Sequence, residues 1–176
     1  HYTWLPFQTQ RIGKLYGIQV HSTTTLIQGT RSGVLTLSLK NTTDKNRNIP
    51  LQFITTDPYN YKTTLDYVIN WGFDRATSNT PVENITEEKA VIKTQGKYAV
   101  ALGGKLDGLW WEEPTRRFHG NITLKPGQEF TTFLAFSIGD KDEAVRERDE
   151  ILADPSAAIA KAKEIYVADV EEIYSG

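Results

Sequence analysis

The 176-residue sequence contains no cysteine and only three histidines, His1, His21 and His119. It can form no disulfide, no zinc–thiolate site and no iron–sulfur cluster, and three scattered histidines do not favour a histidine-based metal centre. We therefore expect no metal and no cofactor. Any chemistry of this chain must rest on carboxylates, hydroxyls and aromatic rings.

The sequence also lacks a charge of dominant sign and a long apolar run. Its 20 Lys and Arg residues against 22 Asp and Glu residues give a net charge of −2, without the basic stripe that nucleic-acid binding requires. No apolar stretch approaches the roughly 18 residues of a membrane span. With 39% hydrophobic and 11% aromatic residues, we expect a globular chain of one domain, or one domain with an appendage, that binds neither nucleic acid nor membrane.

No signal peptide is visible, since the chain opens His1-Tyr2-Thr3 without a charged segment followed by an apolar one. We interpret this start as that of a processed or excised piece, which leaves a cytoplasmic or a secreted location open. Candidate N-glycosylation sequons begin at Asn41, Asn84 and Asn121. A chain rich in Thr and Asn also produces such motifs by chance.

From Lys14 to about Ile138 the hydrophobic pattern has period two, interrupted by turn residues about every ten positions. Leu35, Leu37 and Leu39, for example, fall on one face of a strand. This pattern predicts a mainly β fold, an antiparallel β-sandwich of the supersandwich type. We expect residues 34–39 to pair with residues 51–54. The other predicted strands are 16–27, 67–71, 90–94, 98–102, 118–124 and 130–138.

At Gly139 the periodicity changes to that of helices. Asp140 and Glu143 have the spacing of a capping box, and Asp154 followed by Pro155 predicts the start of a second helix. We therefore divide the chain into a β-sandwich domain, residues 1–138, and a C-terminal helical linker or appendage, residues 139–176.

The second predicted helix carries one apolar stripe. Its residues recur at intervals of 3, 4, 4 and 3 positions: Ile159, Ala162, Tyr166, Val170 and Ile173. Either this stripe packs on the chain's own sandwich, or the helix is a connector and Ile159, Tyr166, Val170 and Ile173 contact a further domain.

Two aromatic regions are candidate carbohydrate sites. In the first, Trp110 and Trp111 stand beside Glu112 and Arg116. An indole ring stacks on the C–H face of a pyranose, while charged groups bind its hydroxyls. The simpler interpretation, which we prefer, places one tryptophan in the core and the other against a neighbouring loop.

The second aromatic region contains Tyr59, Tyr61 and Trp71. These rings would line a groove, or they would belong to a loop packed over the end of the sandwich. We prefer the loop.

The sequence of residues 136–176 resembles that of a known family. Leu134-Ala135-Phe136-Ser137-Ile138-Gly139 leads into an acidic and arginine-rich helix, and Leu152-Ala153-Asp154-Pro155 precedes an Ala- and Lys-rich helix. This order is similar to the end of the N-terminal β-sandwich and the linker helices of glycoside hydrolases whose catalytic domain is a six-hairpin (α/α) barrel. Bacterial family 63 enzymes and relatives of glucoamylases and debranching enzymes are examples.

The resemblance implies that the chain is the non-catalytic N-terminal sandwich of a glycoside hydrolase acting on α-glucosidic or related carbohydrates. Its partner would be the (α/α) barrel of the same protein, and the catalytic carboxylates would lie on that barrel. No residue of this chain is assigned a catalytic role. The alternative is a stand-alone carbohydrate-binding module that uses one of the two aromatic regions.

Overall fold

A computed structural model describes residues 1–54, 82–83, 89–93, 98–112 and 117–175. The strands are β1 Tyr2–Leu5, β2 Gln8–Leu15, β3 Ile18–Ile27, β4 Ser32–Asn41, β5 Arg47–Ile54, β6 Val82–Glu83, β7 Lys89–Lys93, β8 Tyr98–Lys105, β9 Trp110–Glu112, β10 Arg117–Leu124 and β11 Glu129–Asp140. Two helices follow, α1 Lys141–Ala153 and α2 Pro155–Ser175. The strand predicted at 67–71 lies outside the described residues.

The strands form two antiparallel sheets, which confirms the predicted β-sandwich. An eight-stranded sheet has the order β1-β2-β3-β4-β11-β8-β7-β6, and a three-stranded sheet has the order β5-β10-β9. Their facing side chains make one core, with Leu39, Val100, Leu109, Phe118 and Leu124 among its buried members.

The predicted pairing of residues 34–39 with residues 51–54 is wrong. β4 pairs with β3 and β11, whereas β5 pairs with β10 in the other sheet. Leu39 and Leu51 nevertheless share the core. The two strands stack across the sandwich, because each must bury its own apolar face and the connection at residues 42–46 carries the chain between the sheets.

The first strands lie earlier than the sequence predicted. β1 and β2 pair from Tyr2 with Arg11 to Leu5 with Gln8, so the larger sheet begins at Tyr2 and not near Lys14. The first half of β2 is polar (Gln8 to Arg11), and both strands remain largely exposed. Without a buried face they lack the alternation that identifies a strand.

Asn41 fixes the connection between the two sheets. Its side chain is fully buried, and its Nδ2 donates to the backbone oxygens of Lys45 (2.7 Å) and of Leu124 in β10 (3.0 Å). Its Oδ1 accepts from the backbone N of Thr43 (3.0 Å) and from its Oγ1 (2.7 Å). All polar atoms of this amide are therefore engaged, as burial requires.

Helix α1 packs on the outer face of the larger sheet, against β8 and β11. The strand β8 contributes small residues there, Ala99, Ala101 and Gly103. A Cβ at Gly103 would lie 2.7 Å from Leu152 Cδ1 and 3.1 Å from Arg148 Cδ, so it would displace these two side chains of α1. The small residues therefore allow the close approach of α1.

Arg148 anchors α1 to the sheet through a buried guanidinium. The side chain is 4% exposed, and its Nη1 donates to the carbonyl oxygens of Ala90 in β7 (3.3 Å) and Leu102 in β8 (3.1 Å). Its Nε donates to Asp149 (3.1 Å), which forms an ion pair with Lys89 Nζ at 2.8 Å. One residue thus links the helix to two strands.

Only one of the two predicted helix caps is present in the structure. Asp154 Oδ1 accepts from the backbone N of Ala157 (3.0 Å), as expected for an N-cap followed by Pro155. Asp140 occupies the N-cap of α1, but its side chain makes no capping hydrogen bond. The predicted capping box with Glu143 is wrong, because Asp140 still belongs to β11, where it pairs with Tyr98.

The stripe of α2 is covered by this chain at its start and uncovered at its end. Ile159 packs on the cluster of Val34, Ala135, Ile151 and Leu152, and Ala162 is buried. Further along the same stripe, Ile173 is 72% exposed.

Two contacts hold the middle of α2. The ring of Tyr166 lies 4.7 Å from that of Phe7 in the turn between β1 and β2, and Gln28 donates to the carboxylate of Asp169. Val170, one position further, is half-buried. Packing on the chain's own sandwich, the first interpretation of the stripe, therefore applies to Ile159 and Tyr166.

Neither α1 nor α2 has the length of apolar sequence that crossing a membrane requires.

The ion pairs of Asp149 predict a pH dependence. Burial raises the pKa of Asp149, but the hydrogen bonds and positive charges of Lys89 and Arg148 outweigh it and lower that pKa below its ordinary value. The stabilisation is therefore present above about pH 4 and is lost as pH falls through the lowered pKa. Asp149→Asn should lower the melting temperature at about pH 7 and have a smaller effect at about pH 2.

Asp44, an exposed residue outside the helices, provides the matched control for this experiment. Asp44→Asn should leave the melting temperature nearly unchanged at both pH values. A loss for Asp149→Asn that is equally large at both would contradict the ion-pair account.

Candidate functional site

The tandem tryptophans point to opposite faces of β9, because successive residues of a strand alternate. Trp111 is buried in the core, where its ring meets Phe118 edge-on at 4.8 Å between centroids and 68° between planes. This confirms the interpretation that one tryptophan belongs to the core. Trp111 is therefore unavailable to a carbohydrate in the folded chain.

Trp110 lies on the outer face of the three-stranded sheet and remains 43% exposed. It sits opposite His119 of β10, and the two rings are stacked at 4.5 Å with 14° between their planes. Trp110 thus packs on a neighbouring strand, not on a loop as expected. The histidine covers part of the indole and fixes its orientation.

Polar side chains continue this outer face. Gln52 of β5 is the register partner of His119, so Trp110, His119 and Gln52 form one row across the three strands. Two residues further along β10 and on the same face, Asn121 is the register partner of Pro50 in β5. An exposed aromatic ring beside imidazole and amide groups has the chemistry of a small sugar-binding surface.

Sequence reasoning missed His119 and Gln52 as members of this row. A signal existed for His119: Trp110 and His119 are equally far from the middle of the segment joining β9 to β10, as partners in a hairpin must be. Gln52 had no local signal, because β5 reaches β10 only through the fold.

Several predicted site residues cannot be placed in this row. Glu112 ends β9 opposite Arg117, but only its backbone is described. The remaining carbohydrate candidates lie outside the described residues: Tyr59, Tyr61, Trp71 and Arg116.

The sequons differ in their access to modification. Asn41 is a poor glycan acceptor in the folded chain, because its Nδ2 is buried and uses both of its hydrogens in hydrogen bonds, one of which a glycan would replace. Asn121 is exposed on β10. Asn84 lies outside the described residues.

A concave area lies where β8 and β10 end and β11 begins. It is an open depression of about 330 Å³, and its polar lining includes Lys105, Asp107, Asn121 and Gln128. In the described part of the chain, no three His, Asp or Glu side chains are grouped closely enough to hold a metal ion.

The sequence matches no protein-family model, and no curated protein is significantly similar to it. Solved structures share the fold. A protein named as a kojibiose phosphorylase from the human microbiome aligns with a TM-score of 0.57 and 13% identity, over 90% of this chain and 22% of that one. A polysaccharide lyase aligns with a TM-score of 0.53 and 11% identity, over 78% of this chain and 22% of the lyase.

These likenesses establish the fold and not an activity. The chain spans about a fifth of the length of both proteins. A unit of this fold therefore recurs as one part of larger proteins.

The opposite placement of the two tryptophans predicts different effects of truncation. Trp111→Ala should lower the free energy of unfolding by about 3–5 kcal/mol, because it opens a cavity in the core. Trp110→Ala should cost no more than about 1.5 kcal/mol, since it removes a surface stacking contact. Urea unfolding followed by circular dichroism measures both, and equal losses would contradict the assignment of Trp111 to the core.

Proposed function

We propose that this chain is the non-catalytic β-sandwich of a carbohydrate-active enzyme and that it supports a separate catalytic domain. The proposal rests mainly on the lengths that align: 90% of this chain aligns with only 22% of the kojibiose phosphorylase. The polysaccharide lyase also exceeds this chain several-fold in length. In both proteins, a unit of this fold accompanies a much larger remainder.

The finer part of the proposal concerns the partner and the reaction. The sequence motifs at residues 134–139 and 152–155 resemble those of glycoside hydrolases that have an (α/α) barrel and act on α-glucosidic or related bonds. We propose such a barrel, in the same protein, as the partner. Support comes from the late turns of α2, where Val167 is 42% and Ile173 72% exposed, as expected for apolar residues that a partner covers.

The adjacent carboxylates of Glu112 and Glu113 are poor candidates for catalysis by this chain. Glycoside hydrolysis needs two carboxyl groups about 5–9 Å apart on either side of one bond. Glu112 and Glu113 are adjacent in sequence, and on a β-strand two adjacent side chains would point in opposite directions. This supports a catalytic centre on another domain.

A second candidate function is that of a carbohydrate-binding module. The exposed Trp110, held by His119 and flanked by Gln52, favours it. This role would need neither another domain nor a catalytic residue in this chain.

The accessory role predicts that the purified chain turns over no substrate. We expect no hydrolysis of aryl α-glucosides and no cleavage of kojibiose, with or without inorganic phosphate, above the rate of a buffer blank. Product release can be followed by absorbance and by chromatography. Turnover that disappears in Glu112→Gln or in Glu113→Gln would refute the proposal.

A further inference from the structure

The two sheets differ in size, and the larger one extends beyond the smaller. On the core side of the eight-stranded sheet, Leu35 and Leu37 of β4 are followed outward by residues of β3, β2 and β1. Register partners form two rows across these strands. The row that begins at Leu37 runs through Ser22 and Arg11 to Tyr2, and the row that begins at Leu35 runs through Thr24 and Thr9 to Trp4. We call these outer residues, Tyr2, Arg11, Ser22, Trp4, Thr9 and Thr24, the edge face.

The two aromatic rings of the edge face are exposed and close together. Trp4 is 73% and Tyr2 46% exposed, and their ring centroids lie 5.2 Å apart with 57° between the planes. Tyr2 and Trp4 are two positions apart on one strand, so both rings rise from the same side of the sheet. They form a bent aromatic surface that is open to solvent.

Hydrogen-bonding groups surround these rings. The guanidinium of Arg11 lies 5.2 Å from the centre of the Tyr2 ring, and its Nη1 donates to Thr24 Oγ1 at 3.4 Å. A guanidinium has five N–H donors, so this contact leaves others for a ligand. Hydroxyls of Thr9 and Thr24 occupy the same row as Trp4.

We propose that the edge face binds the pyranose rings of an oligosaccharide, an inference that rests on the proposed role in a carbohydrate-active protein. The C–H face of one sugar stacks on Trp4 and that of a neighbouring sugar on Tyr2. Arg11 donates to sugar oxygens, and the threonine hydroxyls donate or accept.

The pattern of the edge face favours a sugar over a protein partner. Each aromatic ring is followed across the sheet by two polar side chains, so the exposed apolar area is limited to the two rings, whereas the core of a protein interface is continuous and apolar. A sugar has the matching alternation of C–H faces and hydroxyls. Trp4 is also more exposed than Trp110, whose ring is stacked on His119.

Calorimetric titration of the purified 176-residue chain with two probes tests the proposal. Maltoheptaose represents neutral sugars, and a galacturonate hexamer represents acidic ones. We expect at least one probe to bind, and Trp4→Ala to weaken that binding at least about tenfold. Tyr16→Asn is the matched control and should change the affinity less than about twofold, because Tyr16 is an exposed aromatic residue outside both aromatic surfaces. Trp110→Ala tests the three-stranded sheet as the alternative site.

Arg11→Gln separates the two kinds of sugar. Weaker binding of the galacturonate alone would show that the guanidinium meets a carboxylate, as arginine commonly does. An equal weakening for both probes would show contacts to hydroxyls. Either result supports the edge face as the site.

The proposal is overturned if neither probe binds, or if Trp4→Ala binds as tightly as the unmodified chain. Loss of binding in Trp110→Ala alone would move the site to the three-stranded sheet. Thermal unfolding checks that each variant is folded, and Tyr2→Ala replaces Trp4→Ala if the latter is not. None of these outcomes depends on turnover, so the accessory role is judged separately.

Discussion

The buried guanidinium of Arg148 is the interaction on which the helical layer depends. A charge removed from water costs several kcal/mol unless it is fully hydrogen-bonded. Here the backbone oxygens of Ala90 and Leu102 and the carboxylate of Asp149 supply the acceptors. Because Ala90 and Leu102 lie in neighbouring strands, the same side chain that holds α1 also joins β7 to β8. Gly103 allows the helix to come close enough for these contacts.

The position of α1 determines which surfaces the protein leaves open. Once α1 lies on β8 and β11, the cap at Asp154 starts α2, and Ile159 meets the cluster already formed by Ile151 and Leu152. The helices therefore occupy the outer face of the larger sheet, and the late turns of α2 extend beyond Asp169. The smaller sheet covers the middle of the other face. The row that contains Trp110 and the edge face of β1 and β2 stay open, and in both an exposed aromatic ring lies beside polar groups.

Local patterns were predictable, and long-range partners were not. Alternation in residues 34–39 and 130–138 predicted strands, and Asp154 followed by Pro155 predicted a helix start, because each depends on neighbours in sequence. The pairing of β4 with β11 and the position of Gln52 opposite His119 depend on which strands become neighbours in a sheet, which no local pattern encodes. The strand β1 was missed because Trp4 and Tyr2 are exposed, so it lacks a buried face. The same exposure makes it a candidate binding surface.

Hydrogen exchange of the isolated chain tests the central claim, that α1 is part of the sandwich and that the end of α2 is free for a partner domain. Amides of Ile151 and Leu152 should be protected as strongly as those of β8 and β11, because Arg148 couples the helix to the sheet. Amides of residues 170–173 should exchange rapidly. Protection at residues 170–173 equal to that of β4, or rapid exchange throughout α1, would contradict the account.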